Sequence, residues 1–185
     1  MTDELRKSVE SSRIVKLGDY QYFIHPLSDG IPSIDPKILS RAADEMISVC
    51  DFDCDYIVTS EAMGIPIATA ISLILDIPYT VVRKRKYGLP GEVDIAQYTG
   101  YSKNSMYING LKKGDRVTIV DDVLSTGGTM KAIINGLRTI GCKIVDAAVI
   151  FGKSDVDEDI FKEFGVRVKR LVDARIVDGK VVVNH

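Results

Sequence analysis

Apolar positions along the chain switch between two periods. From residue 35 to 50 they recur every three or four residues, at Ile38, Leu39, Ala42, Ala43, Met46, Ile47 and Cys50, which predicts a helix with one buried face. Residues 56–60, 79–83, 117–120 and 143–151 are short runs rich in Val, Ile and Tyr, the pattern of strands inside a sheet. Between them, residues 65–75 and 130–140 read as helices, the second closed by Gly141. Strand and helix in alternation predict an α/β fold: a mostly parallel twisted sheet, right-handed crossovers and helices on both faces. The N-terminal segment and residues 166–183 stand outside the alternation. They are expected to pack together as a small hood over the ligand edge, formed mainly by residues 1–34 and 152–185. No repeat or linker interrupts the pattern, so one domain spans residues 1–185.

The chemistry concentrates in Val117-Thr-Ile-Val-Asp-Asp-Val-Leu-Ser-Thr-Gly-Gly-Thr129. Here a buried strand ends in two carboxylates and passes through a loop of hydroxyls and glycines into a helix. The first amides of a helix have no internal partners and carry the positive end of its dipole, so an anion fits at such a junction. Gly127 and Gly128 let backbone approach a phosphate, and Ser125, Thr126 and Thr129 add hydroxyl donors. Asp121 and Asp122 lie at the carboxyl end of the strand, where open α/β sheets place ligands, and paired carboxylates suit a vicinal diol. The spaced glycines and Gly-Lys-Ser/Thr of a nucleotide P-loop are absent from this run.

Composition narrows the picture. With 185 residues and 45% hydrophobic content the chain can bury a real core without a second domain. Its 24 Lys and Arg against 26 Asp and Glu give a net charge of −2, which argues against nucleic acid as a partner. The opening Met1-Thr-Asp-Glu-Leu-Arg has no signal-peptide core and no apolar stretch reaches bilayer length, so no membrane partner is expected and the location should be cytoplasmic. Cys50, Cys54 and Cys142 form no recognised zinc spacing and read as reduced, packed thiols.

The 117–129 run resembles the PRPP-binding motif of type I phosphoribosyltransferases. By that resemblance Asp121 and Asp122 hold the ribose hydroxyls and residues 125–129 the 5′-phosphate. Glu61-Ala-Met-Gly64 is a second strand-to-helix turn and resembles the family's pyrophosphate loop, with Met63 where many adenine enzymes have Arg. Arg83-Lys-Arg-Lys-Tyr-Gly-Leu-Pro-Gly-Glu-Val93 places four cations after a strand and then Gly/Pro punctuation. It resembles the flexible loop of purine phosphoribosyltransferases, which implies that Arg83, Lys84 and Lys86 meet pyrophosphate and that a mobile lid of about residues 84–104 closes over it. Tyr101 finishes that lid, and Gly100 stands where adenine enzymes carry a Glu. Ser125 likewise stands where the common hypoxanthine-guanine enzymes carry an Asp, so both familiar proton acceptors are missing. Lys153 follows a strand ending at the ligand edge and can donate to a 6-oxo group but cannot accept from a 6-amino group. Phe23 is a candidate wall of the base pocket.

Taken along the whole chain, these motifs look like the archaeal hypoxanthine/guanine phosphoribosyltransferases. The resemblance implies PRPP and a purine base as substrates, a homodimer and Mg²⁺ as cofactor. The metal would be carried by PRPP, with Asp121 and Asp122 the protein carboxylates able to reach it. Adenine or xanthine transfer is the competing enzyme reading. A PRPP-sensing regulator without catalysis is the competing reading of another class, although the chain leaves no room for an added DNA-binding domain.

Overall fold

The structure, a computed structural model, describes residues 2–17, 20–99, 102–152 and 154–184. Its centre is a six-stranded sheet built around β7 (Arg116–Leu124). On one side β7 pairs in parallel with β3 (Tyr56–Ser60), which pairs with the edge strand β4 (Tyr79–Val82). On the other it pairs in parallel with β8 (Lys143–Gly152), followed by β9 (Lys169–Val177) and the antiparallel edge β10 (Lys180–Asn184).

Alternation along β7 divides the core. Val117 and Ile119 face helices α5 (Gly128–Ile140) and α6 (Ser154–Phe164), while Val120 faces α3 (Pro36–Val49) and α4 (Gly64–Leu75). The sheet is therefore covered on both sides, and strands buried on both faces read as continuous apolar runs. Asp35 caps α3 by accepting from the Lys37 amide at 2.8 Å, and Gly141, at φ +89°, closes α5.

Two expectations require correction. Residues 166–183 do not stand apart as a hood: α6 and β9 continue the alternation, and β10 extends the same sheet. Charged residues such as Lys169, Arg170, Asp173 and Arg175 hide this in the sequence, since a sheet's outer strands bury fewer side chains. The N-terminal segment packs against that end of the sheet. Helix α1 (Asp3–Glu10) packs Leu5 and Val9 into the cluster that holds Val181 and Val183, and the hairpin of β1 (Arg13–Leu17) and β2 (Tyr20–Ile24) leads into the short α2 (Pro26–Asp29).

Second, residues 84–104 are not one loop. Only residues 84–91 are exposed loop; β5 (Val93–Thr99) and β6 (Ser102–Ile108) form an antiparallel hairpin, with Ile95, Met106 and Ile108 buried. The hairpin seats on α5 because Gly136 has no side chain. A Cβ there would lie 2.4 Å from Ile95 Cγ2 and 2.8 Å from Ile108 Cδ1. Its root is tied to the sheet by reciprocal backbone hydrogen bonds between Arg83 and Tyr107, at 3.0 and 2.7 Å.

Candidate active site

Three parallel strands, β3, β4 and β7, end at one edge, and a cavity of about 310 Å³ opens there. It is lined by Ser60, Glu61, Ala62, Met63, Lys84, Met106, Asp121, Asp122, Val123 and Thr129. Two helices start beside it. Neither α4 nor α5 has a side chain capping its N-terminus: Met63 precedes one and Gly127 the other. Two sets of helix-start amides thus flank one pair of carboxylates, which provides two anion sites with an acidic centre between them.

The loop from β7 to α5 keeps its shape for reasons of packing and backbone. Ser125 and Thr126 are exposed, while Gly127 is buried at φ +77°. A Cβ on Gly127 would stand 3.0 Å from Val156 Cγ1 and 3.4 Å from Ile160 Cδ1. Its glycine is accordingly required by the left-handed backbone and by α6 packing beneath the loop. The sequence reading assigned that glycine to phosphate approach alone.

Residues 61–64 cross the sheet edge with a cis Glu61–Ala62 peptide. Glu61 Oε1 accepts the Lys84 amide at 2.5 Å, and Arg83 Nε lies 2.9 Å from Glu61 Oε2. Arg83 through its guanidinium and Lys84 through its backbone are therefore held against the loop expected to meet pyrophosphate. Lys86 is exposed in the following turn. Glu92 organises that turn, accepting from the Tyr87 and Gly88 amides at 2.9 and 3.0 Å and from Asn109 Nδ2 at 3.1 Å. Although desolvation opposes it, these donors hold the Glu92 carboxyl below its ordinary range.

The two aspartates differ in setting. Asp121 is 5% exposed, and its Oδ2 accepts from Ser60 Oγ at 2.7 Å. Asp122 is half-buried and lines the cavity. Burial raises both carboxyl pKa values; the charge of Asp122 raises Asp121 further, and that of Asp29, at the end of α2, raises Asp122 further. An acid whose ionised form is disfavoured in this way gains from a nearby cation, so the donor chemistry fits Mg²⁺. The described residues contain no group of three or more His, Cys, Asp or Glu side chains able to hold a metal. The chain offers one or two carboxylates, and the remaining oxygens must come with a ligand.

Of the residues singled out in the sequence, Glu61, Ala62, Met63, Lys84, Asp121, Asp122 and Thr129 meet at the cavity. Gly64 lies buried behind it, and Arg83 reaches it through Glu61. Phe23 packs edge-on against Phe151, with ring centres 5.6 Å apart. Tyr101 and Lys153 lie outside the described residues. Ser60, Met106 and Val123 line the cavity without having been singled out. A hydroxyl at the end of the apolar strand Tyr56–Ser60 was a usable signal, whereas Met106 lies just past the expected lid of residues 84–104, where the sequence pattern predicted no element. The three thiols are free, Cys50 and Cys142 buried and Cys54 half-buried, and burial pushes each thiol pKa up.

Residues 36–172 match the family described as the phosphoribosyl transferase domain. The chain is 49% identical to the hypoxanthine/guanine phosphoribosyltransferase of Methanocaldococcus sp. strain FS406-22, over 97% of this chain and 92% of that one. It is 50% identical to the protein of the same name from Methanohalophilus mahii, over 99% and 96%. Among solved structures, the adenine phosphoribosyltransferase of Thermoanaerobacter pseudethanolicus superposes with a TM-score of 0.74 at 21% identity, covering 90% of this chain and 98% of the other. At that identity the likeness is one of fold.

Proposed function

The chain belongs to the phosphoribosyltransferase family, and from that premise we propose that it transfers the 5-phosphoribosyl group of PRPP to the imidazole nitrogen of hypoxanthine or guanine. The products are IMP or GMP and pyrophosphate. The observation that carries the chemistry is the pair of uncapped helix starts flanking Asp121 and Asp122 in one cavity. PRPP is a diol between two anionic groups, and the site repeats that order. Relatives half identical over nearly the whole chain, each named a hypoxanthine/guanine phosphoribosyltransferase, support the choice of base.

In this reading residues 125–129 and the start of α5 bind the 5′-phosphate. Residues 61–64 and the start of α4 bind pyrophosphate, with Arg83, Lys84 and Lys86 supplying positive charge as it departs. Departure leaves positive character at the anomeric carbon, which the buried carboxylates stabilise. Asp121 and Asp122 are the carboxylates that would hold Mg²⁺ brought in with PRPP, and the ion would supply positive charge to the departing pyrophosphate. Met63, Met106 and Val123 give the cavity an apolar wall for the purine. Closure of the exposed 84–91 loop excludes water and suppresses hydrolysis of PRPP. Tyr101 serves that closure, and Lys153, with Phe23, defines a 6-oxo purine pocket.

A homodimer in the cytoplasm is part of the same reading. The exposed apolar residues Leu73, Ile74 and Tyr79, at the end of α4 and on edge strand β4, support assembly. No helix among the described residues is long and apolar enough to cross a membrane. Incubation with PRPP, Mg²⁺ and hypoxanthine should yield IMP and pyrophosphate in equal amounts. Retardation of DNA without turnover of any base would instead favour a PRPP-sensing regulator.

A further inference from the structure

The short helix α2 joins a buried hydrogen-bond chain at one end to the cavity wall at the other. His25 is fully buried and caps α2, its Nδ1 accepting from the Leu27 amide at 3.1 Å. With Nδ1 accepting, the ring proton sits on Nε2, which donates to Ser8 Oγ of α1 at 2.9 Å. Burial lowers the His25 pKa to about 4, against the charge of Asp29, so the ring keeps this neutral form at neutral pH. The turn then closes on itself. The His25 amide and Ser28 Oγ donate to Asp29 Oδ2 at 3.0 and 2.7 Å, and the Gly30 amide donates to the Pro26 carbonyl at 2.9 Å. Gly30, at φ +70°, faces the thioether of Met63: a Cβ there would lie 3.6 Å from both Sδ and Cε. Helix α2 also packs against β7, and the charge of Asp29 bears on Asp122.

We propose that Ser8 and His25 are positioning residues for the purine: through α2 they hold Gly30 against the Met63 side chain and so fix the apolar wall on which the base rests. The inference rests on the phosphoribosyl-transfer reading and gives the N-terminal helix a function in it. The effect should fall on the base and spare PRPP, because the backbone of residues 61–64 is held by other means. The Glu61 amide donates to the Val82 carbonyl at 3.2 Å, the Ile65 amide to the Ala62 carbonyl at 3.3 Å, and the Glu61 carboxylate pairs with Arg83. Loosening α2 therefore leaves the amides that meet pyrophosphate in place. It frees the Met63 side chain, which is unbranched and settles in a new shape as soon as its neighbour withdraws.

The test measures KM for hypoxanthine and for PRPP separately, well below the thermal midpoint of each variant. Ser8→Ala removes the acceptor of the His25 proton and should raise the KM for hypoxanthine about threefold to tenfold, with the KM for PRPP and kcat within about twofold. Ser8→Thr retains the hydroxyl and should keep the parent value. His25→Asn preserves an acceptor for the Leu27 amide but is too short to reach Ser8, so it should match Ser8→Ala. In a Met63→Ala background Ser8→Ala should add no further rise, since the wall it positions is gone. A merely structural role would lower the thermal midpoint without splitting the two KM values. The same rise in the Met63→Ala background would overturn the inference. So would equal weakening of hypoxanthine and PRPP, or an unchanged KM for hypoxanthine in both Ser8→Ala and His25→Asn. Absence of turnover in the unsubstituted protein would instead overturn phosphoribosyl transfer itself, and the inference with it.

Discussion

Replacing Gly136 by alanine tests whether the β5–β6 hairpin is a seated structural element. In an open helix position the change would stabilise the protein by about 1 kcal/mol, because glycine is a poor helix former. Here the new Cβ would lie 2.4 Å from Ile95 Cγ2 and 2.8 Å from Ile108 Cδ1. Carbon atoms prefer a separation of about 3.5–4.0 Å, so the hairpin must withdraw by about 1 Å or its isoleucines must leave their rotamers. Overpacking of this kind costs about 1–3 kcal/mol, which outweighs the helix gain and leaves a net loss of about 1 kcal/mol. For a chain of this length that loss lowers the midpoint of thermal unfolding by about 2–4 °C. Since β6 carries Met106 into the cavity wall and its neighbour Tyr107 bonds to Arg83, the same shift should raise the KM for PRPP. Ile95→Ala makes room, and a double-mutant cycle in urea should show a favourable coupling of at least about 0.5 kcal/mol between the two changes. A Gly136→Ala protein more stable than the parent, with no coupling to Ile95, would refute the seating.

Two further predictions concern the N-terminal segment and the lid. His25 is fully buried, accepting from the Leu27 amide through Nδ1 at 3.1 Å, so its Nε2 carries the proton that Ser8 Oγ receives at 2.9 Å. Burial lowers its pKa from 6.5 to about 4, against the opposing charge of Asp29. The unfolded chain then binds the proton first, so His25 stabilises the fold fully above about pH 6.5 and loses that contribution, about 3 kcal/mol at most, as the pH falls toward 4. His25→Asn should flatten the urea-measured stability profile across that window, and an unchanged profile would count against the assignment. Glu92→Gln removes the negative acceptor shared by Tyr87, Gly88 and Asn109. Faster hydrogen exchange in residues 84–92 and a higher KM for PRPP are expected with little change in thermal midpoint; unaltered exchange would show that Glu92 does not organise the turn.

Much of this architecture was legible in the sequence because the central strands are buried on both faces. Residues 56–60 matched β3, and 35–50 matched α3 together with its capping Asp35. The 117–129 run disclosed the strand, the carboxylates and the phosphate loop together, since each is local. Long-range consequences were not legible. Gly136 lies inside the helix predicted over residues 130–140 with nothing local to mark it, and only the hairpin packed on it explains the residue. The basic run and its Gly/Pro punctuation masked the alternation of Val93, Ile95, Met106 and Ile108 that builds that hairpin. Charge along β9 concealed a strand that pairs with β8 mainly through its backbone. The adjacent aspartates read as equivalent, although their environments differ as soon as Ser60 and Gly64 are brought alongside.

The central claim is most directly tested by turnover with PRPP and Mg²⁺ of hypoxanthine, guanine, adenine and xanthine in parallel, using Asp122→Asn as control. Efficient conversion of hypoxanthine and guanine that collapses in the variant is the predicted result. Turnover of adenine alone, or activity unchanged in Asp122→Asn, would contradict the account.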